Sequence, residues 1–265
     1  MNTAPTKKFC GKVVAITGAT SGTGFALAEP LYEQGASLAV SGRNAQRLEV
    51  LSQALSKQQN VPEQRFIATI VDVGKEAAQV DAWVEQIISI FGKLDCAANV
   101  AGGSAGESFS LVAEKMDEEF EAAMDTNLRG VINCMRAQIP HLGRGSSVVN
   151  VSSGSAIRGI LGLSLYSAAK AGVNNLTKTA AHEYGPQGVR FNVVNPGLIL
   201  SPTVQNLGSE FPRRLIETTP LRRAAEPVEI ARSVAYLLGD DSSFQTGCIM
   251  NVDGGYLTGI AAFWA

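Results

Sequence analysis

Short apolar segments of strand length alternate with longer segments of helical period along most of this chain, and no other feature limits the fold as strongly. Such alternation is typical of a parallel sheet covered by helices on both faces. Seven segments have the composition of strands: 13–17, 37–41, 65–71, 94–98, 147–151, 190–194 and 248–252. The segments of helical period are 25–33, 45–56, 77–91, about 113–138, 166–184 and 228–238. We therefore predict an α/β fold with a doubly wound, seven-stranded parallel sheet.

The length of 265 residues suits one such domain rather than two full-sized ones, so we predict a single domain over residues 1–265. The longest irregular stretch, residues 197–227, is expected to form a substrate-binding lid. The final residues, 256–265, are apolar and are expected to pack against their own domain or a neighbouring subunit.

Composition excludes several classes of function. The chain has 24 acidic and 22 basic residues and a formal net charge of −2, so nucleic acid and anionic membranes are poor partners. The first residues lack the apolar segment of a secretory signal, and no stretch reaches the ~18 apolar residues of a membrane span, which predicts a cytoplasmic protein. The four cysteines and two histidines are scattered without ligand spacing, so no metal site is expected.

A glycine-rich turn follows the first strand directly and opens into a helical segment. Glycines at such a turn let the backbone approach a pyrophosphate, whose charge is met by free N–H groups and the helix dipole. Glycine also serves ordinary turns, but the first strand-to-helix turn of a doubly wound sheet is where dinucleotides bind. The residues predicted to bind a cofactor here are Thr17, Gly18, Ser21, Gly22, Thr23 and Gly24.

The end of the second strand indicates which nicotinamide cofactor is used. Sites for NAD place an acidic residue there, about 20 positions beyond the glycines, to bind the ribose hydroxyls. Here Gly42 occupies that place and Arg43 follows, and a guanidinium can hold a 2′-phosphate through bidentate hydrogen bonds. NADP(H) is therefore favoured over NAD(H), with a merely solvated Arg43 as the alternative. Ser21 supplies no second cation, so Arg43 carries most of the expected discrimination.

Tyr166 and Lys170 are four residues apart at the start of a helical segment, so their side chains share one face of the helix. An ammonium near a phenol favours the phenolate, and we expect Lys170 to lower the pKa of Tyr166 from about 10. Ser153 precedes Tyr166 by thirteen residues and closes the fifth strand, whose carboxyl end faces the same crevice as the glycine turn. Ser152 is the rival for the serine role, because neighbouring residues of a strand point to opposite faces.

Together the Thr-Gly-x-x-x-Gly-x-Gly turn and the set of Ser153, Tyr166 and Lys170 resemble the short-chain dehydrogenase/reductase family, over about residues 11–255. The resemblance implies a Rossmann-type fold with the catalytic site at its sheet edge. It also implies that Tyr166 acts as general acid or base, that Ser153 hydrogen-bonds the substrate oxygen, and that Lys170 binds the nicotinamide ribose. Asn127 matches the asparagine of the family that organises a water relay behind Lys170.

The same resemblance implies further cofactor contacts at the strand ends. Asp72 matches the position that hydrogen-bonds the adenine ring, and Ser201 stands where the family commonly has a threonine that binds the carboxamide. The fourth strand departs from the family pattern, since Val100 replaces the usual second asparagine. The other cofactor residues implied in this way are Val73, Asn99, Ala101, Gly102, Pro196, Gly197 and Ile199.

The function predicted from these motifs is that of an NADP(H)-dependent oxidoreductase acting on the carbonyl or secondary alcohol of a mainly apolar small molecule, with ketone reduction favoured. An apolar pocket is expected because hydrophobic residues flank the motifs and occupy the lid: Ile157, Leu163, Leu198, Val204, Leu207, Phe211, Leu215 and Ile216. Arg213 and Arg214 could meet an anionic substrate, although solvated lid charges are the favoured interpretation. The alternatives are a non-redox dehydration or isomerisation on the same scaffold and a non-catalytic NADP(H)-binding protein. The resemblance further implies a homotetramer or a homodimer.

Overall fold

Seven parallel strands form one sheet at the centre of the protein. The computed structural model describes residues 7–58, 63–104, 106–200, 204 and 210–259. The strands are β1 (Val13–Thr17), β2 (Ser37–Gly42), β3 (Phe66–Ile70), β4 (Cys96–Asn99), β5 (Ser147–Val151), β6 (Arg190–Pro196) and β7 (Ile249–Val252). Their order in the sheet is β3-β2-β1-β4-β5-β6-β7, and every neighbouring pair is parallel. The predicted doubly wound fold is confirmed.

Helices cover both faces of this sheet. They are α1 (Gly22–Glu33), α2 (Ala45–Ser56), α3 (Ala77–Phe91), α4 (Asp117–Met124), α5 (Gly130–Gln138), α6 (Ser164–Tyr184), α7 (Glu210–Thr218) and α8 (Pro227–Leu238). Helices α1, α2 and α8 share one buried apolar cluster, whereas α3, α5 and α6 share a second one. None of the helices in the described ranges is long and apolar enough to cross a membrane.

The two apolar clusters follow from the period of a strand, which sends successive side chains to opposite faces. In β1, Val14 and Ile16 pack into the cluster with α1, while Val13 and Ala15 pack into the cluster with α3. Strands buried on both faces read as continuous apolar runs, which is why these segments show no polar alternation in the sequence.

The sequence of connections places a crevice at the carboxyl ends of β1 and β4. From β1 the chain proceeds outward through β2 and β3 and then returns to pair β4 with β1. At this reversal the helices that follow β1 and β4 lie on opposite faces, so the edge between the two strand ends stays open. The glycine turn and the end of β4 therefore face each other.

The predicted helix over about 113–138 is right in its end at Gln138 but wrong in its start and its continuity. Helix α4 begins only at Asp117, because the Glu119 carboxylate accepts the Met116 N–H at 3.0 Å and fixes the first turn there. A π-helical turn over Asp125–Arg129 then separates α4 from α5. Within it the Asn127 side chain donates to the Ala123 carbonyl at 3.0 Å, the oxygen that a regular helix would offer to the backbone N–H of residue 127.

The predicted irregular stretch over 197–227 is also only partly irregular. It contains helix α7, which lies between Gly208 and Pro220, two residues that often flank a helix in sequence. Smaller differences occur at helix starts, since α1 begins at Gly22 and α6 begins at Ser164.

Candidate functional site

A cleft of about 570 Å³ runs along the carboxyl ends of the strands. Its volume lies within the range of about 300–1,000 Å³ typical of sites for small molecules and cofactors. It joins the glycine turn at one end to the loop after β5 and the start of α6 at the other. The residues predicted from sequence that line it are Gly18, Ser21, Gly22, Thr23, Arg43, Asp72, Val73, Ala101, Gly102, Ser153, Tyr166, Lys170, Pro196, Gly197 and Ile199.

At the glycine turn, backbone segments lie so close together that a side chain would not fit between them. Gly18 has a φ of +69°, and a Cβ at this residue would lie 2.8 Å from the Ala101 Cα. A Cβ at Gly24 would lie 2.5 Å from the Gly18 oxygen. Ser21 precedes α1 in an extended conformation and its side chain makes no capping hydrogen bond. The N–H groups at the start of α1 are therefore left for an anionic ligand, as a pyrophosphate site requires.

The end of β2 supplies a positive charge without a carboxylate. A Cβ at Gly42 would lie 2.5 Å from Thr20 Cγ2, so the glycine makes room for the threonine. Arg43 lines the cleft and is mainly exposed. Thr20 and Lys75 line the cleft as well, although neither was predicted from sequence. Lys75 follows Asp72 by three residues, and that proximity is the only signal that could have found it.

Thr17 and Asn99 are buried behind the wall of the cleft instead of lining it. The Thr17 hydroxyl accepts the N–H groups of Val100 and Ala101 at 3.1 and 3.2 Å, which ties the end of β1 to the end of β4. The Asn99 amide donates to Gln138 and to the Asn150 side chain at 3.2 and 2.9 Å. Their side chains thus support the floor of the cleft through hydrogen bonds within the protein.

The two adjacent serines at the end of β5 have different environments. Ser152 is buried, and its hydroxyl donates to the Lys170 carbonyl at 2.8 Å. Ser153 is partly buried, accepts the Ser155 N–H at 3.1 Å, and is hydrogen-bonded to the Tyr166 side chain. Only Ser153 therefore has its hydroxyl beside the tyrosine.

Burial shifts the pKa values of both titratable groups in this part of the cleft. It lowers the pKa of Lys170 to about 8, because the ammonium loses its water, and the Nζ donates to the Val151 carbonyl at 3.0 Å. Burial raises the pKa of Tyr166, and the hydrogen bond with Ser153 opposes this effect. The expected lowering of the Tyr166 pKa by Lys170 is wrong in direction. The Lys170 Nζ lies 5.7 Å from the centre of the Tyr166 ring, and desolvation of the phenol outweighs the opposing hydrogen bond.

Asn127 lies behind the cleft, close to Lys170. Its Oδ1 accepts the Gly103 N–H at 2.9 Å, and its Nδ2 donates to the Gly103 carbonyl at 2.9 Å. A Cβ at Gly102 would lie 2.8 Å from the Lys170 Nζ and 2.9 Å from the Asn127 Oδ1. Gly102 therefore keeps open the space between the amide and the ammonium. The predicted water relay through Asn127 stays a prediction.

Apolar and aromatic residues form a large part of the lining of the cleft. They include Ile160, Leu163, Leu198, Val204, Phe211, Leu215 and Tyr256. Phe211 on α7 packs against Phe109 from the loop after β4, with ring centres 4.7 Å apart. The predicted residues Ser201 and Leu207, and the end of the tail at 260–265, lie outside the described residues.

The contacts of the two lid arginines do not favour a role in binding an anionic substrate. Arg214 lies 2.6 Å from Glu210 and Arg213 lies 3.7 Å from Glu217, and all four side chains are exposed on α7. This arrangement agrees with the interpretation of these arginines as solvated lid charges.

Comparison with known proteins gives matches along nearly the whole chain. The family model described as enoyl-(acyl carrier protein) reductase matches residues 18–257. The short-chain dehydrogenase/reductase ABA4 of Pyricularia oryzae is 36% identical over 252 residues, which cover 93% of this chain and 92% of that protein. Levodione reductase of Leifsonia aquatica is 38% identical over 269 residues, which cover 95% of this chain and 96% of that protein.

Solved structures agree with these matches. The crystal structure of levodione reductase superposes with a TM-score of 0.87 at 35% identity and covers 95% of this chain and 100% of its own. A short-chain dehydrogenase from Burkholderia cenocepacia, crystallised in complex with NADP, superposes with a TM-score of 0.86 at 26% identity. That match covers 94% of this chain and 99% of the Burkholderia chain.

Proposed function

Because the chain belongs to the short-chain dehydrogenase/reductase family, we propose that it is an NADP(H)-dependent oxidoreductase that reduces the carbonyl group of a mainly apolar small molecule. One observation carries this proposal, namely that Ser153, Tyr166 and Lys170 line the same cleft as the glycine turn and Arg43. A reductase needs its proton donor and its cofactor at one substrate, and a shared cleft meets that need. The reverse reaction, oxidation of a secondary alcohol, would use the same residues.

The residues of the cleft fit a nicotinamide dinucleotide. The bare N–H groups at the start of α1 and the space above Gly18 and Gly24 suit a pyrophosphate. Arg43 would hold the 2′-phosphate that distinguishes NADP(H), in agreement with the NADP complex of the Burkholderia relative. Bound NADPH would supply the hydride. The adenine would contact Asp72 and Val73, while Pro196, Gly197, Ile199 and Ser201 would border the nicotinamide.

The proton would come from Tyr166. Burial raises the pKa of this phenol, so it is protonated at neutral pH and can act as a general acid toward a carbonyl oxygen. Ser153, which is hydrogen-bonded to the phenol, would bind the same oxygen as negative charge develops on it. Lys170 would bind the nicotinamide ribose, and Asn127 behind it would support proton supply to the site. The raised pKa favours reduction over oxidation, because oxidation requires the phenolate.

The lining of the cleft beside Tyr166 supports an apolar substrate. Aliphatic and aromatic side chains from the loop after β5, from α7 and from Tyr256 line the same cleft as the phenol. Burial of apolar surface would supply most of the binding free energy, at roughly 25 cal/mol per Å². The name of levodione reductase, a relative of similar length, supports the assignment to carbonyl reduction.

Fluorescence titrations with NADPH and NADH test the cofactor, and a panel of apolar ketones with NADPH then tests the reaction. We expect micromolar binding of NADPH, much weaker binding of NADH, and oxidation of NADPH by at least one ketone. Tyr166→Phe should abolish turnover while the affinity for NADPH changes by no more than a few-fold. Tyr236→Phe, which removes a hydroxyl from an exposed side chain on α8, is the matched control.

Three outcomes would contradict parts of the proposal. Tight binding of NADH alone would overturn the preference for NADP(H). Binding of NADPH without turnover of any ketone would favour a non-redox reaction or a non-catalytic role. Activity retained in Tyr166→Phe would remove Tyr166 from the site.

We also propose that the protein assembles as a homotetramer, with a homodimer as the alternative. Exposed apolar side chains on α4 and α5, Phe120 and Ile132, support burial of this surface between subunits. Size-exclusion chromatography with light scattering should give a mass of four subunits. A monomer at micromolar concentration would contradict both forms of the proposal.

A further inference from the structure

A buried ion pair lies at the start of the helix that carries Tyr166. The Glu107 Oε1 lies 3.0 Å from the Lys115 Nζ, and the two side chains are only 1% and 6% exposed. Both residues belong to the loop between β4 and α4. Burying two charges is costly unless further hydrogen bonds satisfy them, so the other partners of this pair matter.

Glu107 makes its other hydrogen bonds to the first turn of α6. The Oε1 accepts the Leu165 N–H at 2.9 Å, and the Oε2 accepts the Tyr166 N–H at 2.7 Å. The first N–H groups of a helix have no partner within the helix, and Leu163 at the cap position offers no side-chain acceptor. A carboxylate from a residue 58 positions earlier therefore caps this helix, where the helix dipole also favours negative charge.

Lys115, the other member of the ion pair, donates hydrogen bonds to two loops. Its Nζ donates to the Ser108 carbonyl at 2.6 Å and to the Gly162 carbonyl at 2.9 Å. Gly162 ends the loop that runs from Ser153 to α6, so the ammonium connects that loop to the loop after β4. The two charged side chains thus hold together the segments that carry the hydroxyls of Ser153 and Tyr166.

We propose that Glu107 and Lys115 are positioning residues for Tyr166, holding the first turn of α6 so that the phenol faces the substrate carbonyl. This inference rests on the proposed reductase function. Neither residue lines the cleft, and Glu107 acts through the backbone N–H of Tyr166 itself. A fixed phenol matters because a displacement of about 1 Å in a reacting group can cost on the order of a hundredfold in rate.

Glu107→Gln tests this role, because the amide keeps the size of the side chain but removes one acceptor and the negative charge. We expect kcat for ketone reduction to fall by about tenfold to a hundredfold while KM for NADPH stays within a few-fold. Glu114→Gln is the matched control, since Glu114 lies in the same loop and accepts the Leu111 N–H at 3.0 Å. That variant should retain the kcat of the wild type.

A double variant, Glu107→Gln with Lys115→Met, separates positioning from folding. The single Glu107→Gln change leaves the Lys115 ammonium buried without its counterion, which lowers stability. Removing both charges should recover part of the lost melting temperature, because no unpaired ammonium remains, although the Ser108 and Gly162 carbonyls lose their donor. The kcat should remain low because the cap of α6 is still altered. Recovery of the wild-type kcat together with stability would overturn the proposal and leave the pair a purely structural role.

Hydrogen exchange gives a readout that needs no substrate. The amides of Leu165 and Tyr166 should exchange faster in Glu107→Gln than in the wild type or in Glu114→Gln. Unchanged protection of these two amides would overturn the proposed cap. If the wild type reduces no ketone, the proposed function fails, and exchange at these amides alone then decides whether Glu107 holds the start of α6.

Discussion

The Arg43 Nη1 lies 3.8 Å from the Asp72 Oδ2 at the end of the cleft formed by the glycine turn and the ends of β2 and β3. The Arg43 side chain is 65% exposed, and ion pairs at such exposed positions contribute little to stability. The guanidinium is therefore free to turn away from Asp72 toward a phosphate.

Arg43→Ala should weaken the binding of NADPH and leave the binding of NADH within about twofold. The expected loss is about 1.5–3 kcal/mol, the contribution of a hydrogen bond to a charged group. Fluorescence titration with the two cofactors measures it. Arg47→Ala, which removes an exposed arginine one helical turn further along α2, should change neither affinity. Equal losses for NADPH and NADH in Arg43→Ala would mean that Arg43 does not recognise the 2′-phosphate.

Alanine variants of the two serines at the end of β5 should have different effects, one on kcat and the other on the free energy of unfolding. Ser153→Ala removes the hydroxyl beside Tyr166 and should lower kcat by roughly a hundredfold, with little change in the free energy of unfolding. Ser152→Ala removes the 2.8 Å hydrogen bond to the Lys170 carbonyl and should cost about 1 kcal/mol of stability. Its kcat should stay within a few-fold of the wild type. Steady-state kinetics and urea unfolding of both variants check this, and the opposite assignment of effects would make Ser152 the catalytic serine.

The reduction rate should fall as the pH rises through about 8. Burial lowers the pKa of Lys170 to about 8, and the neutral amine formed above this pH no longer supports the phenol or the ribose. Tyr166 stays protonated over the same range because its pKa is raised. We therefore expect kcat/KM for a ketone to be level below the pKa of Lys170 and to decrease above it.

A series of buffers with NADPH as the fixed reductant gives this profile. Lys178→Met, which removes an exposed lysine from the same helix, should leave the position of the break unchanged. A profile that stays level to pH 9.5 or above, about one and a half units past the break, would exclude Lys170 as the controlling group.

Glu119 should contribute stability that is lost in acid. A hydrogen bond from the Ser108 side chain, together with the N–H groups of Met116 and Ser108, lowers the pKa of Glu119 to about 2. A carboxyl whose pKa is lower in the folded than in the unfolded protein stabilises the fold above the unfolded value of about 4.3. That contribution disappears as the pH falls through about 2.

Urea unfolding of the wild type and Glu119→Gln at a series of pH values measures this effect. The difference in unfolding free energy should be largest at neutral pH and should shrink from about pH 4 downward. Glu121→Gln, a change at an exposed carboxylate of the same helix, should show no such trend. A difference that does not depend on pH would show that Glu119 acts through its shape and not through its charge.

Features that depend on the local chain were predictable from the sequence. The alternation of strands and helices predicted the sheet, and the glycine turn, Gly42 and Arg43 were located at one end of the expected crevice. The spacing between Ser153 and Tyr166 also favoured the serine that the structure places beside the phenol. Backbone period, glycine conformations and residue spacing are properties of neighbouring residues, so a sequence displays them directly.

What depends on contacts between distant residues was decided only by the tertiary structure. Glu107 caps α6 although it lies 59 positions before Tyr166 in the chain, and no local sequence pattern predicts that contact. The side chains of Thr17 and Asn99 turn inward because partners on other strands and helices accept or donate their hydrogen bonds. The pKa of Tyr166 rises because the folded chain removes water from the phenol, an effect of packing that outweighs the opposing hydrogen bond with Ser153. Desolvation and long-range hydrogen bonds arise only when segments far apart in the chain come together.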